Sequence, residues 1–185
     1  KLVIESKPGA SGNIGAFEVV RAQADGYTIL VAACGNFVIN QFLMKMSFDP
    51  LVALMPVARV ADVPIVFFAN PSVPARNLGE FVGYARAHPG KLNYGSPGSG
   101  SVNHLLAERL KQIADIAVTH VPFRGSPPGM LALLANEIQL FPISLAVGAA
   151  HLEAGKIIAL AVTTEARMPM LPDVPPELDR PRVAI

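Results

Sequence analysis

Short apolar runs bounded by Gly, Pro, Asn and Asp alternate along this chain with longer segments whose apolar positions recur at helical spacing. Strands are predicted at Leu2–Glu5, Tyr27–Ala32, Val57–Val60, Ile65–Ala69, from Leu92, and at Ala117–Val121, Ile138–Phe141 and Ile157–Thr163. The helical spacing predicts helices from the Pro8–Gly15 turn to about Gln23, and over Phe37–Met44, Leu78–Ala87, Asn103–Ile113, Pro128–Ala135 and Ala146–Ala154. His88-Pro89-Gly90 and Gly155 supply stop signals. Strands separated by helices of this length predict βαβ units and a mostly parallel sheet, an α/β fold. The proline-punctuated segment Asn70-Pro71-Ser72-Val73-Pro74 suits a crossing between two lobes, 1–69 and 70–185.

The most informative stretch is Leu92-Asn93-Tyr94-Gly95-Ser96-Pro97-Gly98-Ser99-Gly100-Ser101-Val102-Asn103-His104-Leu105. It reads as a strand, a Gly/Ser/Pro turn and a helix start. Such a turn aims several backbone N–H groups at one spot, with the positive end of the helix dipole behind them. That arrangement holds an anion, and glycine lets the anion approach the backbone closely. Similar turns recur at Gly9–Gly15, Cys34-Gly35-Asn36 and Arg124-Gly125-Ser126-Pro127. In a parallel sheet they gather at the carboxyl edge of the strands, where ligands bind. A charge-assisted hydrogen bond contributes about 1.5–3 kcal/mol and a helix N-terminus about 0.3–1 kcal/mol more, so two turns can hold a small carboxylate without Lys or Arg.

Composition narrows the choice. The 185 residues are 51% apolar, but no run reaches the roughly 18 residues of a membrane span. A net charge of +1, with both signs interspersed and no Trp, lacks the basic and aromatic footprint of a nucleic-acid binder. The single cysteine, Cys34, excludes an intrachain disulfide and is expected to be a small buried residue. The chain opens on Lys1-Leu2-Val3-Ile4-Glu5, with no signal peptide in view.

Enzyme motifs fail one by one. The Gly95–Ser101 turn lacks the Gly-Lys-Ser/Thr ending of a P-loop, Gly9-Ala10-Ser11-Gly12-Asn13 misses the last glycine of a nucleophile elbow, and glycines 9, 12 and 15 do not form a dinucleotide fingerprint. His88, His104, His120 and His151 are scattered; His104 and Glu108, four apart, make a helical contact rather than a metal site. No cofactor and no metal are called for.

Together these blocks place a resemblance. Lys7-Pro8-Gly9-Ala10-Ser11-Gly12-Asn13-Ile14-Gly15-Ala16, Asp25-Gly26-Tyr27-Thr28-Ile29-Leu30, Phe48-Asp49-Pro50-Leu51 and Asn70–Ala75 resemble, in order and spacing, the Bug (Bordetella uptake gene), TctC-like receptors of tripartite tricarboxylate transporters. So do Pro89–Ser96, Gly98-x-Gly100-Ser101-x-x-His104-Leu105, His120–Gly125, Ala154-Gly155-Lys156 and Leu171–Pro175. The resemblance implies a periplasmic binding protein of type II-like fold, with two βα lobes closing on a small carboxylate that is passed to membrane transporter subunits. It implies a monomer when complete, and no catalysis.

Turn N–H groups at Gly98 and Gly100, with Ser96, Ser99, Ser101 and Asn103, are expected to anchor one carboxylate. Asn36, at the first lobe's loop, and Gly125 and Ser126, at the Phe123-Arg124-Gly125 turn, are expected to read the rest of the ligand. Ser144 joins the expected site; Ile143-Ser144 stands where many members carry Asp-Asn, so the resemblance implies that a polar pocket contact is replaced by an apolar one and the ligand range altered. The family's first strand and Pro-Pro-Gly-Gly loop should precede Lys1, and Pro176-Glu177-Leu178-Asp179-Arg180-Pro181 departs from the family pattern, so the first lobe is expected to be incomplete and the chain truncated at both ends. An α/β enzyme acting on a small anion at the same turns, or a non-functional remnant, is the competing expectation.

Overall fold

The computed structural model describes residues 1–176, and Asn36 through its backbone alone. Residues 177–185, where the expected second lobe ends, lie outside the described residues.

The N-terminal 64 residues carry helices and extended chain. A 3-10 turn at Ala10–Gly12 leads into α1 (Asn13–Arg21), followed by three single-turn helices, α2 (Gly35–Val38), α3 (Asn40–Leu43) and α4 (Pro50–Ala53). From there strand and helix alternate: β1 (Ile65–Ala69), α5 (Leu78–Ala87), β2 (Leu92–Ser96), α6 (Val102–Ala114), β3 (Val118–Pro122), α7 (Ser126–Leu134), β4 (Leu140–Ser144), α8 (Leu145–Glu153) and β5 (Ile158–Val162). The five strands form one sheet in the order β3-β2-β4-β1-β5. Strand β2 pairs parallel with β3 and β4, while β1 runs antiparallel between β4 and β5. The expected α/β class with a mostly parallel sheet is observed. Strand β1 precedes residue 70, yet it lies inside this sheet.

Period-two alternation along the strands divides the core between the two faces. Phe67, Ala69, Leu92 and Tyr94 point to one face, under Phe81, Ala85 and Leu110 of α5 and α6. Val66, Phe68, Phe141 and Ile143 point to the other, against Met130 and Leu133 of α7 and Leu145 of α8. Phe67, Phe68, Phe81 and Phe141 are fully buried, each worth about 1.5–3 kcal/mol relative to exposure. Helices cover both faces, as parallel strands require.

The strands expected at Leu2–Glu5, Tyr27–Ala32 and Val57–Val60 do not form. Leu2 is 91% exposed and Tyr27 92%. An apolar alternation becomes a strand only where a neighbour takes its backbone groups, and these runs find no partner strand among the described residues. Cys34 is exposed rather than buried, because its segment packs against no sheet face. No helix among the described residues is long and apolar enough to cross a membrane.

Helix α8 sits close to the sheet because Gly148 meets the Phe68 ring; a Cβ there would lie 2.5 Å from two ring carbons. Gly148→Val is expected to lose about 1–3 kcal/mol by overpacking, read as a lower midpoint in chemical denaturation.

Candidate functional site

In the turn between β2 and α6 the N–H groups of Gly98, Gly100, Ser101 and His104 all find acceptors within the turn or in Ser96 just behind it. Ser101 caps α6: its Oγ accepts from the His104 N–H at 3.2 Å and donates to the Gly98 carbonyl at 2.7 Å. The Ser101 N–H also donates to the Gly98 carbonyl, at 3.2 Å. The Gly100 N–H donates to His104 Nδ1 at 3.1 Å, which fixes His104 as a neutral ring with its proton on Nε2. Gly98 (φ 152°) and Gly100 (φ 81°) adopt conformations that side chains rarely take, so this path needs glycine at both positions.

Ser96 anchors the turn from beneath. It is fully buried; its Oγ lies 2.7 Å from His120 Nε2, donates to the Gly98 carbonyl at 3.1 Å and accepts from the Gly98 N–H at 3.3 Å. His120 Nε2–H as donor satisfies all of these at once. Parallel pairing of β2 with β3 sets Tyr94 beside His120, and the Tyr94, His120 and His104 rings stack, the two imidazoles 4.1 Å apart. Tyr94 donates its hydroxyl to Glu108, which also takes Lys111 Nζ at 2.7 Å. Burial, then the Glu108 carboxylate, pushes the Tyr94 hydroxyl up. Burial also raises Glu108, but the Lys111 and Tyr94 hydrogen bonds outweigh it and the net shift is down. Burial lowers His104 and, together with the neighbouring His104, pushes His120 down to about 4.

The N–H groups of Ser99, Val102 and Asn103 find no acceptor among the described residues. Val102 and Asn103 are the first two residues of α6, at the positive end of its dipole. Both line a cleft of about 260 Å³ between this turn and the N-terminal segment. The facing wall is the first turn, Pro8, Gly9, Ser11 and Gly12, with Ala33, Gly35 and Asn40. Ala10 and Ser11 hold left-handed backbone (φ 44° and 53°), costing roughly 1–2 kcal/mol each, and Ser11 Oγ donates to the Ser99 carbonyl at 2.6 Å. Asn40 Nδ2 donates to Asn13, while the buried Asn40 Oδ1 is without a partner among the described residues.

The expected site residues fall into separate groups. Gly100, Ser101, Asn103 and Gly125 line the cleft, and Asn103 Nδ2 is tied to the Pro142 carbonyl at 3.0 Å. Gly98 and Ser99 line an adjoining hollow with Phe123 and Arg124. Ser96 lies behind the turn. Ser126, the first residue of α7, and Ser144, just before α8, are half-buried and outside the cleft lining. The side chain of Asn36 lies outside the described residues. Spacing alone missed His120, Asn40 and Val102. His120 could have been found from the parallel register opposite Tyr94; a backbone donor such as Val102 N–H leaves no side-chain signature.

The family model described as the tripartite tricarboxylate transporter family receptor, TctC, matches residues 1–180. The chain belongs to the TctC family. A UPF0065 protein of Bordetella pertussis is 36% identical over 173 residues, 94% of this TctC chain and 54% of the relative. The R. palustris protein Rpa4515, solved with adipate, superposes with a TM-score of 0.90 at 35% identity, over 95% of this chain and 59% of its own. The periplasmic binding protein BugD superposes with a TM-score of 0.85 at 31% identity, over 94% and 58%. This TctC chain spans about half the length of the curated relatives it matches.

Ser101→Ala is expected to remove the α6 cap and cost about 1 kcal/mol of stability, seen as a lower denaturation midpoint. His120 sets a second expectation. Its folded-state value of about 4 lies below the ordinary 6.5, so the unfolded chain takes up the proton first as pH falls. Its contribution is therefore full above about pH 6.5 and is lost between there and about pH 4. Thermal melts across that window should fall in midpoint, and His120→Gln should flatten the fall.

Proposed function

We propose that this protein is an extracytoplasmic solute receptor that captures a small carboxylate between the β2–α6 turn and the N-terminal segment. The observation that carries this reading is the pair of unsatisfied N–H groups of Val102 and Asn103 at the head of the cleft, with Ser99, also without an acceptor, in the adjoining hollow. A carboxylate oxygen supplies the acceptor they lack, and the α6 dipole favours its charge. The serine hydroxyls shape the turn, and the backbone does the gripping. Ligand contacts from Gly9–Gly12 on one side and the turn on the other favour a closed arrangement, since only a ligand touching both sides shifts such an equilibrium.

Rpa4515 being solved with adipate supports a carboxylate ligand, and the family description supports delivery to membrane subunits of a tripartite transporter, from the periplasm. A division into lobes at residues 69 and 70 makes β1 the strand that ends at the crossing, paired with the second lobe's sheet. Gly125, Ser126, Ser144 and Asn36 are assigned to the ligand's far end.

One observation favours an enzyme: Ser96 Oγ and His120 Nε2 stand at nucleophile–base distance. Ser96 is fully buried, however, and both partners serve the turn, so no substrate carbon reaches the hydroxyl. The reading is non-catalytic binding.

Val102→Pro tests it. Proline is tolerated at the first helical position, and Ser101 before it is already extended (φ −66°, ψ 155°), so the change deletes one N–H and leaves the helix start in place. Calorimetric titration with adipate, malate, acetate and benzoate should find at least one ligand of the unchanged protein. Val102→Pro should bind that ligand about 10- to 100-fold more weakly at unaltered thermal stability. Equal affinity of the two proteins would overturn the assignment.

A further inference from the structure

Helices α5 and α6 begin with the same hydrogen-bonded box and fill it with different residues. At α5, Asn77 Oδ1 accepts from the Glu80 N–H at 3.0 Å, and the Glu80 carboxylate reaches back to the Arg76 N–H at 2.8 Å. At α6, Ser101 Oγ accepts from the His104 N–H, and His104 Nδ1 reaches back to the Gly100 N–H. In each case the cap residue holds the third helical residue, which in turn holds the residue before the cap. The α5 box is exposed and lies outside this cleft, so a carboxylate serves it well there. The α6 box closes beside the unsatisfied N–H groups of Val102 and Asn103. A Glu in that place would set a fixed negative charge next to the incoming anion.

We propose that His104 is a positioning residue that completes the α6 capping box without charge, keeping the turn closed while leaving its open N–H groups free for an anion. The groups packed around it are arranged to keep the ring neutral and still. His120 from β3 stacks on it at 4.1 Å, and two charged imidazoles in that contact repel. Tyr94 from β2 stacks on His120 at 4.9 Å and on His104 at 6.4 Å, and Glu108, one turn along α6, has its negative charge engaged by Lys111 and the Tyr94 hydroxyl. His104 thus withdraws the Gly100 N–H from the set available to ligand and fixes the glycine-rich path that aims the rest. This role rests on the carboxylate reading of the cleft for its charge requirement; the hydrogen-bonded box itself does not depend on that reading.

Four proteins test it at about pH 8, where histidine is neutral: the unchanged chain, His104→Gln, His104→Glu and His104→Leu. Each is read for melting temperature, exchange of the Gly100 amide proton, and affinity for adipate and malate. Gln, a neutral acceptor, should keep Gly100 protected and hold affinity within about threefold. Glu should keep Gly100 protected and the melting temperature unchanged, yet lose roughly tenfold or more in affinity through charge alone. Leu should lose Gly100 protection. A Glu variant that binds as tightly as the unchanged protein, or a Leu variant that still protects Gly100, would overturn the proposal. If the unchanged protein binds neither acid, the requirement for neutrality falls together with the carboxylate reading for these ligands, while Gly100 exchange still decides the box.

Discussion

A helix start leaves backbone N–H groups that its own ladder cannot satisfy, and the rest of this site is arranged around how the β2–α6 turn disposes of them. Gly98, Gly100, Ser101 and His104 give theirs to Ser96, His104, the Gly98 carbonyl and Ser101. Ser99, Val102 and Asn103 keep theirs open. Val102 and Asn103 line the cleft, so their N–H groups stand where an acceptor outside the helix can reach them. The serines that draw the eye in the sequence belong to the satisfied group. They shape the hole and do not fill it.

The sheet makes that shape stiff. Strand β2 lies between β3 and β4, so the turn leaves from an interior strand with hydrogen-bonded neighbours on both sides. The β3 neighbour supplies His120 under Ser96, and the next turn is stitched on through the Phe123 N–H to the Ser96 carbonyl and the Gly125 N–H to the Pro97 carbonyl. Gly95 permits the approach, since a Cβ there would sit 2.4 Å from Ile138 and 3.1 Å from Phe141. A grip aimed by backbone dipoles needs this rigidity, because an N–H turned away from its acceptor loses most of its strength.

What the sequence made legible follows from which forces are local. From Ile65 onward each strand was bounded by turn residues and each helix carried caps and stops, and the elements appear within three residues of the expected limits. The strand–turn–helix build around Gly95–Ser101 was legible because glycine spacing and the following helix are local features. Tyr27–Ala32 failed by the same logic. Its alternation records a strand's side-chain pattern, but strand formation depends on a partner that local sequence does not supply. Hydroxyl-rich side chains drew attention to this turn, but composition cannot say whether Ser101 Oγ faces a ligand or a backbone carbonyl; in the fold it donates to the Gly98 carbonyl. The parallel register that brings His120 to Ser96 joins positions 24 residues apart and has no sequence signature.

A grip made of backbone N–H groups recognises charge and geometry, and every carboxylate offers the same two oxygens. Discrimination among carboxylates must then come from the facing wall, where Pro8, Gly9, Ser11, Gly12, Ala33 and Asn40 present little charge and little bulk. That wall is held in conformations that have a cost, at Ala10 and Ser11, and Ser11 Oγ ties it to the turn at the Ser99 carbonyl. The two halves of the cleft thus carry different kinds of stability. One is fixed into a sheet; the other is short helices and extended chain. On the carboxylate reading proposed above, shape selectivity falls to the wall and charge capture to the turn, because altering the wall leaves the hydrogen-bond accounting of the turn intact.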